Sequence, residues 1–208
     1  MDKKAEYDKL IMDVKASYQK LNEDKNSDGV YMTWCDDCQE INLWTYWQGR
    51  GCLNPKIMLV GQDWGAIDDA QIISNVRNMN SGLEYGYFGK RIYDTDRNLN
   101  SLFESIGYHD IISNRYPDLF FTNLSLGYRS RGTSGNLKDT WLKHDYEFFA
   151  RLVSILEPEI IICLGKATFE GTLDALGVED KPKIKTYNDF IVSESNPVTM
   201  EIGNNEVK

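Results

Sequence analysis

The sequence predicts an α/β protein in which a parallel sheet lies between layers of helices. Three observations carry that expectation. IMLV (57–60), LFFTNL (119–124) and EIIICLG (159–165) are apolar runs of strand length, and each leads into small or polar residues. Stretches with helical spacing separate them, as the crossover between parallel strands requires. At 208 residues the chain can form one domain with a core covered on both sides. We expect residues 1–208 to make that domain, with an N-terminal helix and an irregular segment, 1–55, packed on it.

Taken in order, residues 4–22 place Leu10, Ile11, Val14, Tyr18 and Leu21 at three- and four-residue steps, which predicts an amphipathic helix. NEDKNSDG (22–29) ends it in a polar turn. Residues 30–55 show no sustained period and carry Trp34, Trp44, Trp47 and three cysteines. An irregular segment with at most one short helical turn is expected there, laid over the first strand. IMLV reads as a central parallel strand buried on both faces. A helix is expected over 67–78, and the glycine- and aromatic-rich NSGLEYGYFGKR (80–91) as a loop. Asp96, or a neighbour, can cap a helix through NLNSLFESIG, with Gly107 as its stop. LFFTNL is the second strand, and LGYRSRGTSGN (126–136) a long polar loop after it. Residues 140–156 predict one helix with Trp141, Phe148, Leu152 and Ile155 on its apolar side. EIIICLG is a third buried strand, KATFEGTLDALG the helix behind it, and DFIVSES (189–195) a fourth, shorter strand.

Composition narrows the function. A net charge of −9 opposes nucleic acid at long range without excluding a local basic patch. No apolar run approaches membrane-spanning length, and MDKKAEYDKL lacks the apolar middle of a signal peptide. No membrane association is expected, and a cytoplasmic protein with reduced thiols fits best. Five Trp and twelve Tyr exceed what a plain core needs, so some should line a pocket or an interface.

Ligands of open α/β sheets bind at the carboxyl ends of the strands. Here those ends carry Gln62 and Asp63, then Asn123, then Lys166, then Asn196. The four strand ends can share one crevice, although each of these residues also suits a turn or a helix cap.

The order of these residues resembles the uracil-DNA glycosylase superfamily. GQDWG (61–65) resembles its first active-site motif, YFG (87–89) its aromatic–glycine segment, and FTNL (121–124) the strand whose Asn reads the base. LEPEIIICLGKATFEGTL (156–173) is similar to the family's later strand and helix. The resemblance extends over roughly residues 56–200 and implies a three-layer α/β/α sandwich around a short, mainly parallel four-stranded sheet. It also implies hydrolysis of the N-glycosidic bond of a flipped-out pyrimidine. Asp63 would orient water and stabilise the sugar cation, Phe88 would stack on the base, and Asn123 would read its edge. Gln62 and the backbone amides of Asp63–Gly65 would hold a carbonyl of the base.

Three departures stand beside the likeness. SESNPVTM (193–200) puts Asn196-Pro197 where the family has His-Pro; an Asn donates a hydrogen bond but cannot become an imidazolium. The short run after Pro197 leaves little room for a DNA-intercalating loop and closing helix. Trp64 also replaces a Pro or small residue, either to clamp a substrate or to fill a gap. The two histidines, His109 and His144, read as structural or surface residues.

No cofactor is expected. CDDC (35–38) has metal-ligand spacing and Cys52 can fold towards it, which keeps a zinc or iron–sulfur site as the alternative. Cys163 reads as a small buried hydrophobe. Arg129 and Arg131, in the polar loop beside the crevice, are candidates for phosphate contacts, with Arg91 and Arg97 as possible additions to the same patch. The partner expected is DNA or a small nucleotide-like ligand. Whether the chain turns a substrate over, or only binds a nucleobase, nucleotide or nucleic acid in an inherited pocket, stays open at this level, as does its oligomeric state.

Overall fold

The computed structural model describes residues 2–21, 24–41, 53–67, 94–111, 114, 116–132, 137–182, 200–202 and 205–207. The expected helix over 67–78, the aromatic loop with Phe88 and Arg91, Cys52, the strand DFIVSES and Asn196 fall outside them, apart from the first residue of that helix.

Helix α1 (Lys3–Tyr18) begins where the Asp2 side chain accepts the Lys4 N–H at 3.0 Å, and it buries Tyr7, Leu10, Ile11, Val14 and Tyr18. Strand β1 (Met32–Thr33) follows, then β2 (Ile57–Gly61), helix α2 (Asp94–Ser105) and β3 (Leu119–Asn123). A short strand β4 (Tyr128–Arg129) precedes helices α3 (Asp139–His144) and α4 (Tyr146–Leu156). Strand β5 (Ile160–Cys163), helix α5 (Lys166–Ala175) and the hairpin β6 (Met200–Ile202) and β7 (Asn205–Val207) complete the described chain. The hairpin, with Ile202 level with Asn205, was not expected.

Among the described residues the main sheet has the order β3-β2-β5, all parallel, with Gly61 level with Asn123 and Val60 level with Cys163. IMLV is therefore the middle strand, and every residue of β2 is buried. Alternation along the strands divides the core. Ile57, Leu59, Leu119 and Phe121 pack with Leu99 and Phe103 of α2. Met58, Val60 and Phe120 pack with α1 and with Phe149, Leu152 and Val153 of α4. The result is a layered α/β/α arrangement, because each strand residue faces the layer opposite to that of its neighbour.

Three sequence expectations change. The strand β5 is only partly covered, with Ile160 39% exposed, because it occupies an outer position in the described sheet. Asp96 lies inside α2 rather than ahead of it, since the helix starts at Asp94. The helix expected over 140–156 is broken at Asp145, and Phe149 rather than Phe148 is the fully buried ring.

Asp145 stands at the break. Its side chain is fully buried, and its Oδ2 accepts the Leu126 N–H at 2.7 Å, the Tyr18 hydroxyl, and the Ser125 hydroxyl at 3.4 Å. His144 Nδ1 meets Oδ1 at 2.9 Å and its Nε2 lies 2.6 Å from Ser17 Oγ. One carboxylate thus holds the end of α1, the α3–α4 corner and the turn after β3. Gly127 permits the closeness: a Cβ there would overlap the Tyr18 ring and stand 2.9 Å from the Thr33 carbonyl oxygen.

Replacing Asp145 with Ala strands a buried amide and a buried phenol, and should cost roughly 3 kcal/mol in denaturant unfolding. Burial, and then the charge of Asp145, hold the Tyr18 phenol protonated well above its ordinary range. Its folded pKa exceeds its unfolded one, so this contribution is full below about pH 10 and is lost as pH rises towards the folded value. Tyr18→Phe should accordingly flatten the alkaline fall of the thermal midpoint.

Candidate functional site

The carboxyl ends of β2 and β3 do not part at once. Leu124 N–H donates to Gly61 O at 2.9 Å and Ser125 N–H to Gln62 O at 3.0 Å. Farther on, Arg129 N–H donates to Gly65 O and Ile67 N–H to Arg129 O, both at 2.8 Å. On its other side β4 pairs antiparallel with β1, Met32 opposite Arg129. The two post-strand segments are stapled side by side, and β4 is the staple.

That pairing brings Asp63 and Arg129 together. Asp63 Oδ1 accepts the Gly65 N–H at 2.8 Å and the Arg129 Nε–H at 3.1 Å. The side chains are 9% and 4% exposed. The expectation that Arg129 projects from a polar loop towards phosphate is therefore corrected. Lodged between β1 and residues 65–67, it turns inward, and a buried guanidinium is held by a carboxylate. Arg131 is exposed and donates from Nη2 to the Asp28 carbonyl at 2.6 Å. The structure does not bring it to Asp63. Arg97 stands on the exposed side of α2.

Asn123 ends β3 at 2% exposure, with the same strand parity as Phe121, which faces α2. Its carboxamide lies across Gly61, whose missing side chain makes the room: a Cβ at Gly61 would overlap Oδ1 and stand 3.5 Å from Cγ. The buried Nδ2 has no hydrogen-bond partner among the described residues. Thr122 Oγ1 is likewise unpartnered there, on the opposite face of the strand. Most buried amides are satisfied, so an orphaned donor at a strand end marks a place where a ligand acceptor would be stabilised.

The other residues expected at the crevice divide. Gln62 is exposed and offers its carbonyl to Ser125. The Gly65 N–H, expected to hold a base carbonyl, is committed to Asp63. Trp64 is 8% exposed and packs on Tyr128 with ring centres 5.8 Å apart, within the layer of α1 and α4. Lys166, at the start of α5, is exposed and lies 3.6 Å from Glu170.

CDDC forms a turn closed by Cys38 N–H to Cys35 O at 2.8 Å. Cys38 Sγ lies 3.1 Å from both Glu40 O and Tyr128 Oη. Burial pushes the Cys38 thiol up to about 11 and raises Cys35, whose neighbouring Asp37 and Asp36 add to the rise. Among the described residues no group of three or more His, Cys, Asp or Glu is arranged to hold a metal ion. Both thiols are buried, with Cys38 against Tyr128; Cys52 lies outside the described residues.

Compared with known proteins, the chain matches no family model, and no curated protein shows significant similarity to it.

Residue-level reading of the sequence missed Gly61 and Asp145. The second had a signal: Asp145 stands four residues after Trp141 and four before Phe149, on the apolar stripe, where a carboxylate must find buried partners.

Two measurements check this site. Arg129→Leu leaves the Asp63 charge buried and should cost about 3 kcal/mol, whereas Asp63→Asn combined with Arg129→Leu should recover part of it. In the folded protein at pH 8, Cys35 and Cys38, mapped individually by mass spectrometry, should alkylate on the order of a hundredfold more slowly than after denaturation.

Proposed function

We propose that the chain is a divergent uracil-DNA glycosylase-like protein whose strand-end site binds a planar nucleobase, free or as part of a nucleotide. The carrying observation is Asn123, buried at the end of β3 with an Nδ2 donor unmatched among the described residues. Asp63 closes the neighbouring strand, as the family's first motif requires. On this reading the sheet gains a fourth strand from the segment after α5, and Phe88 supplies the stacking ring, both as implications of the resemblance.

Recognition is better supported than turnover. Cleaving an N-glycosidic bond builds positive charge on the sugar, which an uncompensated carboxylate stabilises strongly. Asp63 instead has Arg129 at 3.1 Å, which offsets its charge. The net charge of −9 favours a small nucleotide-like ligand over a polyanion, and the free thiols of Cys35 and Cys38 suit a reducing cytoplasm. Among the described residues no helix is long and apolar enough to cross a membrane. Hydrolysis is the second reading, supported by the place of Asp63 in GQDWG and its nearness in the fold to the end of β3.

Calorimetric titration with uracil and uridine monophosphate should show binding, weakened at least tenfold by Asn123→Ala. Single-stranded and mismatched uracil-containing DNA should release no base. Release that Asp63→Asn abolishes would establish the hydrolase instead. Neither binding nor release across a panel of bases ends both readings.

A further inference from the structure

The hydrogen bonds of His144 form a line from the core to the surface. Asp145 Oδ1 stands 2.9 Å from Nδ1, and Nε2 stands 2.6 Å from Ser17 Oγ. Solvent access rises along that line: the Asp145 side chain is fully buried, that of His144 is 21% exposed, and Ser17 is half-buried near the end of α1. Ala16, Gln19 and Lys143 beside them are exposed, so the outer end of the line is open to solvent.

The chemistry fixes the direction of each bond. Asp145 acts as an acceptor, since its Oδ2 already takes the Leu126 N–H at 2.7 Å and the Tyr18 hydroxyl. An acceptor at Oδ1 places the single proton of a neutral imidazole on Nδ1, which leaves Nε2 as a lone pair. Ser17 must then donate its hydroxyl proton to Nε2, rather than to a carbonyl of the preceding helical turn. The Tyr18 ring, edge-on at 5.1 Å, and the Phe148 ring at 6.0 Å flank the imidazole and limit its rotation.

We propose that Ser17 is an activated nucleophile towards small carboxylic esters, with His144 as its general base and Asp145 as the positioning residue that orients the base. The proposal does not depend on the nucleobase reading. Ser17 Oγ bonds to the ester carbonyl carbon as its proton passes to Nε2, and the carbonyl π pair becomes an oxyanion. Collapse restores the C=O and breaks the bond to the alcohol oxygen, which leaves with the proton from Nε2. Water repeats the sequence on the acyl-serine, releasing a carboxylic acid and the free hydroxyl. The C-terminal dipole of the 16-residue α1 favours the imidazolium formed in each attack. Lys20 is exposed one turn beyond Ser17, its N–H donating to Ser17 O at 3.1 Å, and brings a cation for the oxyanion.

In the native protein, diisopropyl fluorophosphate should modify Ser17 roughly a hundredfold faster than Ser154, which is exposed on α4, with the two sites resolved by mass spectrometry. His144→Gln should slow the labelling of Ser17 by about tenfold or more at an unchanged circular dichroism spectrum. Ser17→Ala should abolish saturable hydrolysis of p-nitrophenyl acetate. Ser17 labelled no faster than Ser154, labelling at a rate that His144→Gln leaves unchanged, or ester hydrolysis that survives Ser17→Ala overturns the proposal. Because Asp145 also anchors the fold, its orienting role is read in the native protein by nitrogen NMR. The neutral His144 ring should carry its proton on Nδ1 with Nε2 bare; the opposite tautomer overturns the assignment. Should His144→Gln fail to fold, the comparison of Ser17 with Ser154 and the tautomer, neither of which needs a variant, decide the matter.

Discussion

The buried carboxylate of Asp145 is the constraint on which the described fold turns. An unmatched carboxylate in a core is costly enough to prevent folding, so its partners must arrive together. They come from three places: Tyr18 at the end of α1, Leu126 and Ser125 in the turn after β3, and His144 beside it. The turn after β3 is also the link between Asn123 and Arg129. Whatever holds that turn holds both Asn123 and Arg129, one at each end of a seven-residue span. The helix breaks at this same residue, between α3 and α4.

From that anchor the site is built by backbone rather than by side chains. Residues 62–67 and 124–130 run together through main-chain bonds, and β1 closes the far side of β4. Arg129 has nowhere to go but inward, and Asp63 receives it. A carboxylate so placed has its charge offset by the guanidinium. At the end of the neighbouring strand the Asn123 Nδ2 is buried without a hydrogen-bond partner among the described residues.

The strands were legible because burial on both faces leaves unbroken apolar runs, and because parallel strands must alternate with helices. Asp63 and Asn123 were legible for a related reason, since a polar residue immediately after such a run sits at the carboxyl end of the sheet. Arg129 was misread because Gly, Ser and Arg in succession look like a solvated loop. Only the pairing of β4 with a two-residue strand nearly a hundred positions away in the sequence makes that stretch part of the core. CDDC was read for its metal-ligand spacing, whereas the burial of both thiols depends on Tyr128, Glu40 and Trp34 converging around them.

By itself the sequence determined the class of fold, the central place of IMLV and the carboxyl-end positions of Asp63 and Asn123, because periodicity and strand length are local properties. Tertiary structure alone decided that Asp63 is paired with Arg129, that Trp64 packs on Tyr128, that Asp145 joins three segments of the core and that the Asn123 amide lies across Gly61. Each of those depends on which distant backbone lies alongside, and one chain's local pattern contains no record of its neighbours in space.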